Sequence, residues 1–436
     1  MYEFVVNRTD KIFWVTKIAI VLVMGVNANS VLATSLPELI IDAVNTHPVV
    51  RSRLAQVKSS EAGIDTARWQ FYPTPSISVE AVNASQSDLG FQGDDYVATA
   101  RITQPLWTAG GLTAGLQKAK ANFSVSDANF EASRQSIALR VVEAYGEWLS
   151  AHLKGKAWEA SLVVHRELRD RVQRRVKEGV SGGSDLSLAE GRFESIRADV
   201  VTAKVQEEIA LSRLAQLVGH PLIIKELSSN VAIAIPVGLV SLEDLKREAK
   251  SISPELHRVK AQLNLAKAET QESKSEFWPE LYMRLERQEG SYTYQDVSAE
   301  TRIYVGFNSR FGAGLSNFSK EKASRIRVDA VLADIEAQNR TIEEQIISDY
   351  ALLNSFESRV KSLEISLKIA YEVSDSYGRQ FLAGRKTWLD VMNVVRDLVG
   401  AEVQLADAIA SQLSVSWRLS IVSQGVLSTV QASSNQ

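Results

Sequence analysis

The stretch 48–73 reads PVVRSRLAQVKSSEAGIDTARWQFYP, and the stretch 254–279 reads PELHRVKAQLNLAKAETQESKSEFWP. Each opens on a proline and closes on an aromatic pair followed by a second proline, Phe71-Tyr72-Pro73 and Phe277-Trp278-Pro279. A shift of 206 residues lays Leu36, Pro48, Ala55, Ala62, Phe71 and Pro73 over Leu242, Pro254, Ala261, Ala268, Phe277 and Pro279. Further along the shift drifts by one to three residues. Gly111-Leu112 falls over Gly314-Leu315, Lys118-Ala119 over Lys322-Ala323, and Gly179 and Asp185 over Gly384 and Asp390. Landmarks in the same order in both halves indicate a duplicated unit, and a repeat constrains the fold twice.

Each unit predicts the same series of elements. A proline suits the first turn of a helix, so helices are expected at about 49–71 and 254–277. Two segments of period-two alternation follow in each half, which is a strand pattern. They place strands at about 76–85 and 96–106, then at about 280–288 and 301–311. No proline lies between Pro105 and Pro221, and none follows Pro279. Proline inside a helix costs about 3 kcal/mol, so these stretches permit very long helices. Apolar residues three and four apart, such as Ile346, Tyr350, Leu353, Phe356, Val360 and Leu363, have coiled-coil spacing. Long helices are expected over about 110–178 and 316–383, each breaking at a glycine turn. Returning helices are expected over about 185–218 and 388–424. The first repeat is assigned to 34–229, the second to 230–425, and 426–436 to a flexible C-terminal tail.

Residues 1–33 have the order of a secretory signal. Basic Arg8, Lys11 and Lys17 precede the apolar run 18–26, and Val31-Leu32-Ala33 suits cleavage after Ala33. No later stretch reaches 18 consecutive apolar residues, so no helical membrane span is expected. The 436 residues carry 49 Lys+Arg against 52 Asp+Glu, a formal charge of −3, which provides no basic field for nucleic acid. Absence of cysteine excludes disulfides, thiolate metal sites, cysteine nucleophiles and diacylglyceryl anchors. The five histidines have no metal-ligand spacing, and no phosphate-binding loop or dinucleotide fingerprint is present. Gly179-Val180-Ser181-Gly182-Gly183 fits G-x-S-x-G, but a charged helix end precedes it where a hydrolase needs a buried strand. The chain is therefore expected to be no enzyme and to need no cofactor.

At 1.5 Å per residue the first long helix spans roughly 100 Å, and its two shorter companions in series nearly match it. Such rods must pack sideways into a wall or cylinder. Strands of about ten residues suit a bilayer crossing. Four strands cannot close a barrel, and an open sheet edge in lipid leaves unpaired backbone groups. Several chains must therefore contribute. Three, the preferred closure, would give twelve strands about a cyclic symmetry axis; the pattern alone also admits four. The pairs Phe71-Tyr72 and Phe277-Trp278, where helix becomes strand, suit either an interfacial aromatic girdle or packing at a helix end.

The signal segment, the duplicated helix–strand–strand–helix–turn–helix unit, the segment Gln104-Pro105-Leu106-Trp107-Thr108-Ala109-Gly110-Gly111 and the tip Gly384-Arg385-Lys386-Thr387-Trp388-Leu389-Asp390-Val391 resemble the TolC-like outer membrane efflux proteins. The resemblance covers about 34–425. It implies a homotrimer whose twelve-stranded outer-membrane barrel, four strands per protomer, continues into a periplasmic α-helical coiled-coil barrel. It also implies partnership with a periplasmic adaptor, docked at the hairpin turns Gly179 and Gly384, and with an inner-membrane ABC or proton-driven transporter. Outer-membrane lipid is the surrounding medium. In the family, two acidic residues three apart form rings at the entrance; Asp390 matches the first, and the second position holds Asn393. Lys386 and Asp185 match the tip's basic residue and its carboxylate partner, and Phe381 replaces an aromatic hydroxyl, so that latch bond is lost. The function implied is an exit duct of a tripartite export system. The unlipidated start favours type I protein secretion over multidrug or small-molecule efflux. The rival class is a soluble periplasmic coiled-coil scaffold.

Overall fold

The computed structural model describes residues 34–81, 93–224, 227–229, 234, 241–295, 297–309 and 312–434. The expected signal segment, residues 82–85 of the first expected strand and 310–311 of the fourth lie outside them.

The duplication is carried into the elements almost residue for residue. Helices α1 (Leu36–Thr46) and α5 (Leu242–Ile252) have 11 residues each, and α2 (Pro48–Trp69) and α6 (Pro254–Ser275) have 22 each. After them come strands β1 (Thr74–Ala81) and β2 (Tyr96–Trp107) in the first half, β3 (Glu280–Glu289) and β4 (Glu300–Asn308) in the second. The long helices α3 (Gly111–Lys177) and α7 (Ser316–Leu382) have 67 residues each. Their return helices are α4 (Gly183–Val218) and α8 (Trp388–Gln424), and α9 (Val426–Ser434) ends the chain.

Two features depart from expectation. The first is the pair α1 and α5, short helices ahead of each proline. Ser35 caps α1 in a reciprocal box with Glu38, and Ser241 accepts the Asp244 N–H at the start of α5. Each then hands over at one residue: His47 ends α1 and caps α2, and Ser253 ends α5 and caps α6, with the proline next in line. The second is the C-terminus. The expected flexible tail over 426–436 forms α9 as far as Ser434, and Val430 is buried in the main core.

The four strands make one antiparallel sheet in sequence order, β1-β2-β3-β4. Below it the helices form a layer. Helix α3 packs against α2 and α4 on one side and α6 and α8 on the other; α7 lies beyond, against α6 and α8. Buried positions recur at seven: Ala189, Ile196, Ala203 and Ala210 in α4, and Met392, Val399, Ala406 and Leu413 in α8. That is the seam of a left-handed coiled coil, and small residues in it let the helices approach closely. The largest core gathers Leu36, Leu39 and Ile40 of α1 around Tyr145, Trp148 and Trp417. Its counterpart gathers Leu245 and Ala249 of α5 around Ile346, Leu353 and Leu419. Each such large side chain contributes about 2–3 kcal/mol when fully buried. The short helices thus pack at mid-height of the long helices in each half, and Arg418 of α8 grips the buried Asp349 of α7 there with Nε 3.0 Å from both carboxylate oxygens.

Candidate functional site

Two places carry chemistry: the tips of the two helical hairpins and the sheet at the other end. At the tips, α3 and α7 end alike. Gly179 and Gly384 both take φ +73°, the left-handed region that a Cβ disfavours. The Gly179 N–H donates to Val176 O (3.1 Å) and the Val180 N–H to Arg175 O (2.8 Å). The Gly384 N–H donates to Phe381 O (3.1 Å) and the Arg385 N–H to Gln380 O (2.9 Å). Both are Schellman turns, which satisfy the last carbonyls of a helix. A small core locks the two hairpins together: Leu168 and Val172 of α3, Ala189 of α4, Phe381 of α7, and Trp388, Val391, Met392 and Val395 of α8.

Asp390 stands at the third position of α8. Its carboxylate accepts from the Thr387 N–H (3.0 Å) and hydroxyl (2.8 Å), while the Asp390 N–H donates to Thr387 Oγ1 (3.2 Å). The Thr387 backbone bond first, then its hydroxyl and nearby Lys386, hold the Asp390 carboxyl below the usual range. Asn393, three residues on, is exposed. Lys386 does not meet Asp185 within one chain: its ammonium lies 4.5 Å from the ring centroid of Tyr377. Asp185 is half-buried in the first turn of α4, its N–H donating to Gly182 O (3.1 Å). Phe381 is buried in the tip core with Arg175 over its ring. The sequence reading missed Tyr377 and Thr387. Tyr377 lies one turn before Phe381, and Thr387 precedes Asp390 at capping spacing, so both signals were present.

At the other end the sheet shows two unlike faces. One presents Ile77, Val79, Met283, Leu285, Ile303, Val305 and Phe307; Ile77 is 81% exposed and Phe307 77%. The register aligns Pro75, Ile102, Leu285 and Ile303 in one row across that face. The other face carries Ser, Thr, Arg, Glu and Tyr. Among the described residues, β1 and β4 have no partner on their outer edges. Aromatic side chains collect where helices meet sheet. Phe71, Tyr72 and Trp278 are exposed there, with Trp69 5.2 Å from Tyr72 and Trp107 half in solvent. Phe277 instead is half-buried against Phe318 (4.9 Å). No described helix is long and apolar enough to cross a membrane. The apolar sheet face is the surface suited to lipid.

A family model described as "Outer membrane efflux protein" matches residues 39–220. The chain is 24% identical to the alkaline protease secretion protein AprF of Pseudomonas aeruginosa, over 72% of this chain and 66% of that protein. It is 21% identical to the outer membrane protein TolC of Vibrio cholerae, over 88% of this chain and 89% of TolC. Its fold is that of the outer membrane protein VceC of Vibrio cholerae, with a TM-score of 0.74 at 14% identity, over 89% of this chain and 95% of VceC. With the duplicated hairpins, the lipid-suited sheet and these likenesses together, the chain is similar to the TolC-like outer membrane efflux proteins, and it resides in the outer membrane with its helical part extending into the periplasm.

Proposed function

We propose that three copies close a twelve-stranded barrel and a helical tube beneath it, and that the assembly is the exit duct of a tripartite system for type I protein secretion. The observation that carries this is the sheet: an apolar face exposed on all four strands, with bare edges at β1 and β4. In lipid, each unpaired N–H and C=O costs several kcal/mol, so copies must meet edge to edge. The helical layer has matching needs. Val201, Val205 and Ile209 leave an apolar stripe on α4, and Ile365, Ile369 and Val373 leave one on α7. These helices lie at opposite flanks of the layer, so the next copy's α7 covers α4 around the ring.

The tips then face an adaptor and an inner-membrane transporter, with Gly179 and Gly384 shaping the docking turns. Asp390 rings the entrance, Asn393 leaves the second ring neutral, and Lys386 and Asp185 meet across neighbouring copies. Phe71, Tyr72, Phe277 and Trp278 lie at the inner lipid boundary. Protein cargo is favoured because AprF is named for protease secretion. Deleting the gene tests this. Loss of a protein from the culture medium with drug tolerance unchanged is the expected result. Drug hypersensitivity with an intact secretome would assign the duct to small-molecule efflux.

A further inference from the structure

The polar face of the sheet is not uniformly polar. The register places Thr74, Thr103, Arg284 and Tyr304 in one row, and Ser76, Arg101, Glu286 and Arg302 in the next. Ser78, Thr99, Gln288 and Glu300 form the third row, and Glu80 lies beyond them. Rows on one face are two residues apart, about 6.8 Å. The first two rows therefore hold three guanidiniums against one carboxylate, with acidic side chains beyond them on both sides, Glu280 toward the helices and Glu300 and Glu80 away from them.

That carboxylate is shared. Arg101 Nε donates to Glu286 at 2.8 Å, and Arg284 Nε lies 3.5 Å from the same oxygen. Glu286 is nearly enclosed, with 8% of its side chain exposed. The Arg284 guanidinium rests 4.5 Å from the Tyr304 ring centroid, and its Nε has no hydrogen-bond acceptor among the described residues. Arg302 turns to Glu300 in the row beyond. Arg284 is thus held in place with its charge under-compensated, and about half of the Arg101 and Arg302 side chains stays accessible. Fixed guanidiniums with free donors bind oxyanions by paired, charge-assisted hydrogen bonds.

We infer that the barrel lumen carries a basic belt, built from Arg101, Arg284 and Arg302 of each copy, that binds multivalent oxyanions and acts as a selectivity element separate from the acidic periplasmic entrance. It rests on the closed-barrel reading above, which turns the polar face inward. Each copy adds two net positive charges within the two rows, and the low-dielectric wall focuses their field across the lumen.

The test is single-channel recording of the full-length assembly in a planar bilayer, with inorganic tripolyphosphate added to one side at a time. Block from the barrel side at lower concentration than from the periplasmic side is expected. In Arg284→Gln/Arg302→Gln the half-blocking concentration should rise about tenfold or more. In Glu300→Gln it should fall. Conductance in 1 M KCl, expected to stay near wild type in each variant, reports correct assembly; Arg302→Gln alone serves if the double variant does not insert. Conducting wild-type channels that tripolyphosphate leaves unblocked, or block unchanged in the arginine variants, would overturn the belt and leave the duct standing. Absence of any channel would overturn both.

Discussion

At the residue scale, Asp390 has a capping duty that its contacts show and an entrance-ring duty that we propose, and the two separate experimentally. As the cap partner of Thr387 it orders the first turn of α8; as a ring at the entrance it would hold cations. Thr387→Ala removes the cap hydroxyl and should cost about 1 kcal/mol, read as faster amide exchange over the start of α8. Asp390→Ala should in addition relieve block of single-channel current by multivalent cations, and unchanged block would refute the ring. His165 provides a pH test. It is buried between α3 and α4, its Nδ1 within 2.9 Å of Ser161 O. Burial chiefly, with Arg192 of α4 adding repulsion, lowers its pKa despite the Ser161 bond. A lowered pKa means that the folded hairpin binds fewer protons than the unfolded one, so stability is complete above the ordinary value of 6.5 and falls as pH drops below it. Protection factors over residues 161–196, taken against the intrinsic exchange rate at each pH, should therefore fall in mild acid, and His165→Gln should flatten that dependence.

Element by element, the hairpin turns and the α7–α8 clamp carry specific costs. Gly384→Ala forces a Cβ into the left-handed region and should cost about 1 kcal/mol or more. Gly183→Ala, in the first turn of α4 with open space around it, should be neutral or slightly stabilising. Arg418→Ala leaves Asp349 buried without its counter-charge and should cost about 3 kcal/mol, seen as a lower apparent Tm. Replacing both residues by leucine should cost less than that single change. The long helices, their turns and the strands were legible because the repeat stated each twice and because proline and glycine mark their ends. The short helices were not. Eleven residues give too few turns for a periodic signal, although Ser35 with Glu38 and Ser241 with Asp244 are readable caps. Helix α9 was missed because Gly425 and a Ser- and Gln-rich stretch suggested a tail. What holds it is tertiary: Val430 enters the core, and Thr429 bonds Ser420 (3.0 Å). The tip residues were found by resemblance, yet Lys386 on Tyr377 is a contact that a list of matched positions does not contain.

For the whole molecule, the bare strand edges and the apolar helix flanks call for the same thing under the proposed closure, a neighbour of identical sequence, while the apolar sheet face meets lipid. The layout of one chain supplies complementary flanks in the order that a ring needs. The direct measurement is the protein mass of the detergent-solubilised assembly by light scattering, paired with conductance of the same fraction. A particle of three chains that forms channels is predicted. A conducting particle containing one chain would contradict closure by neighbours.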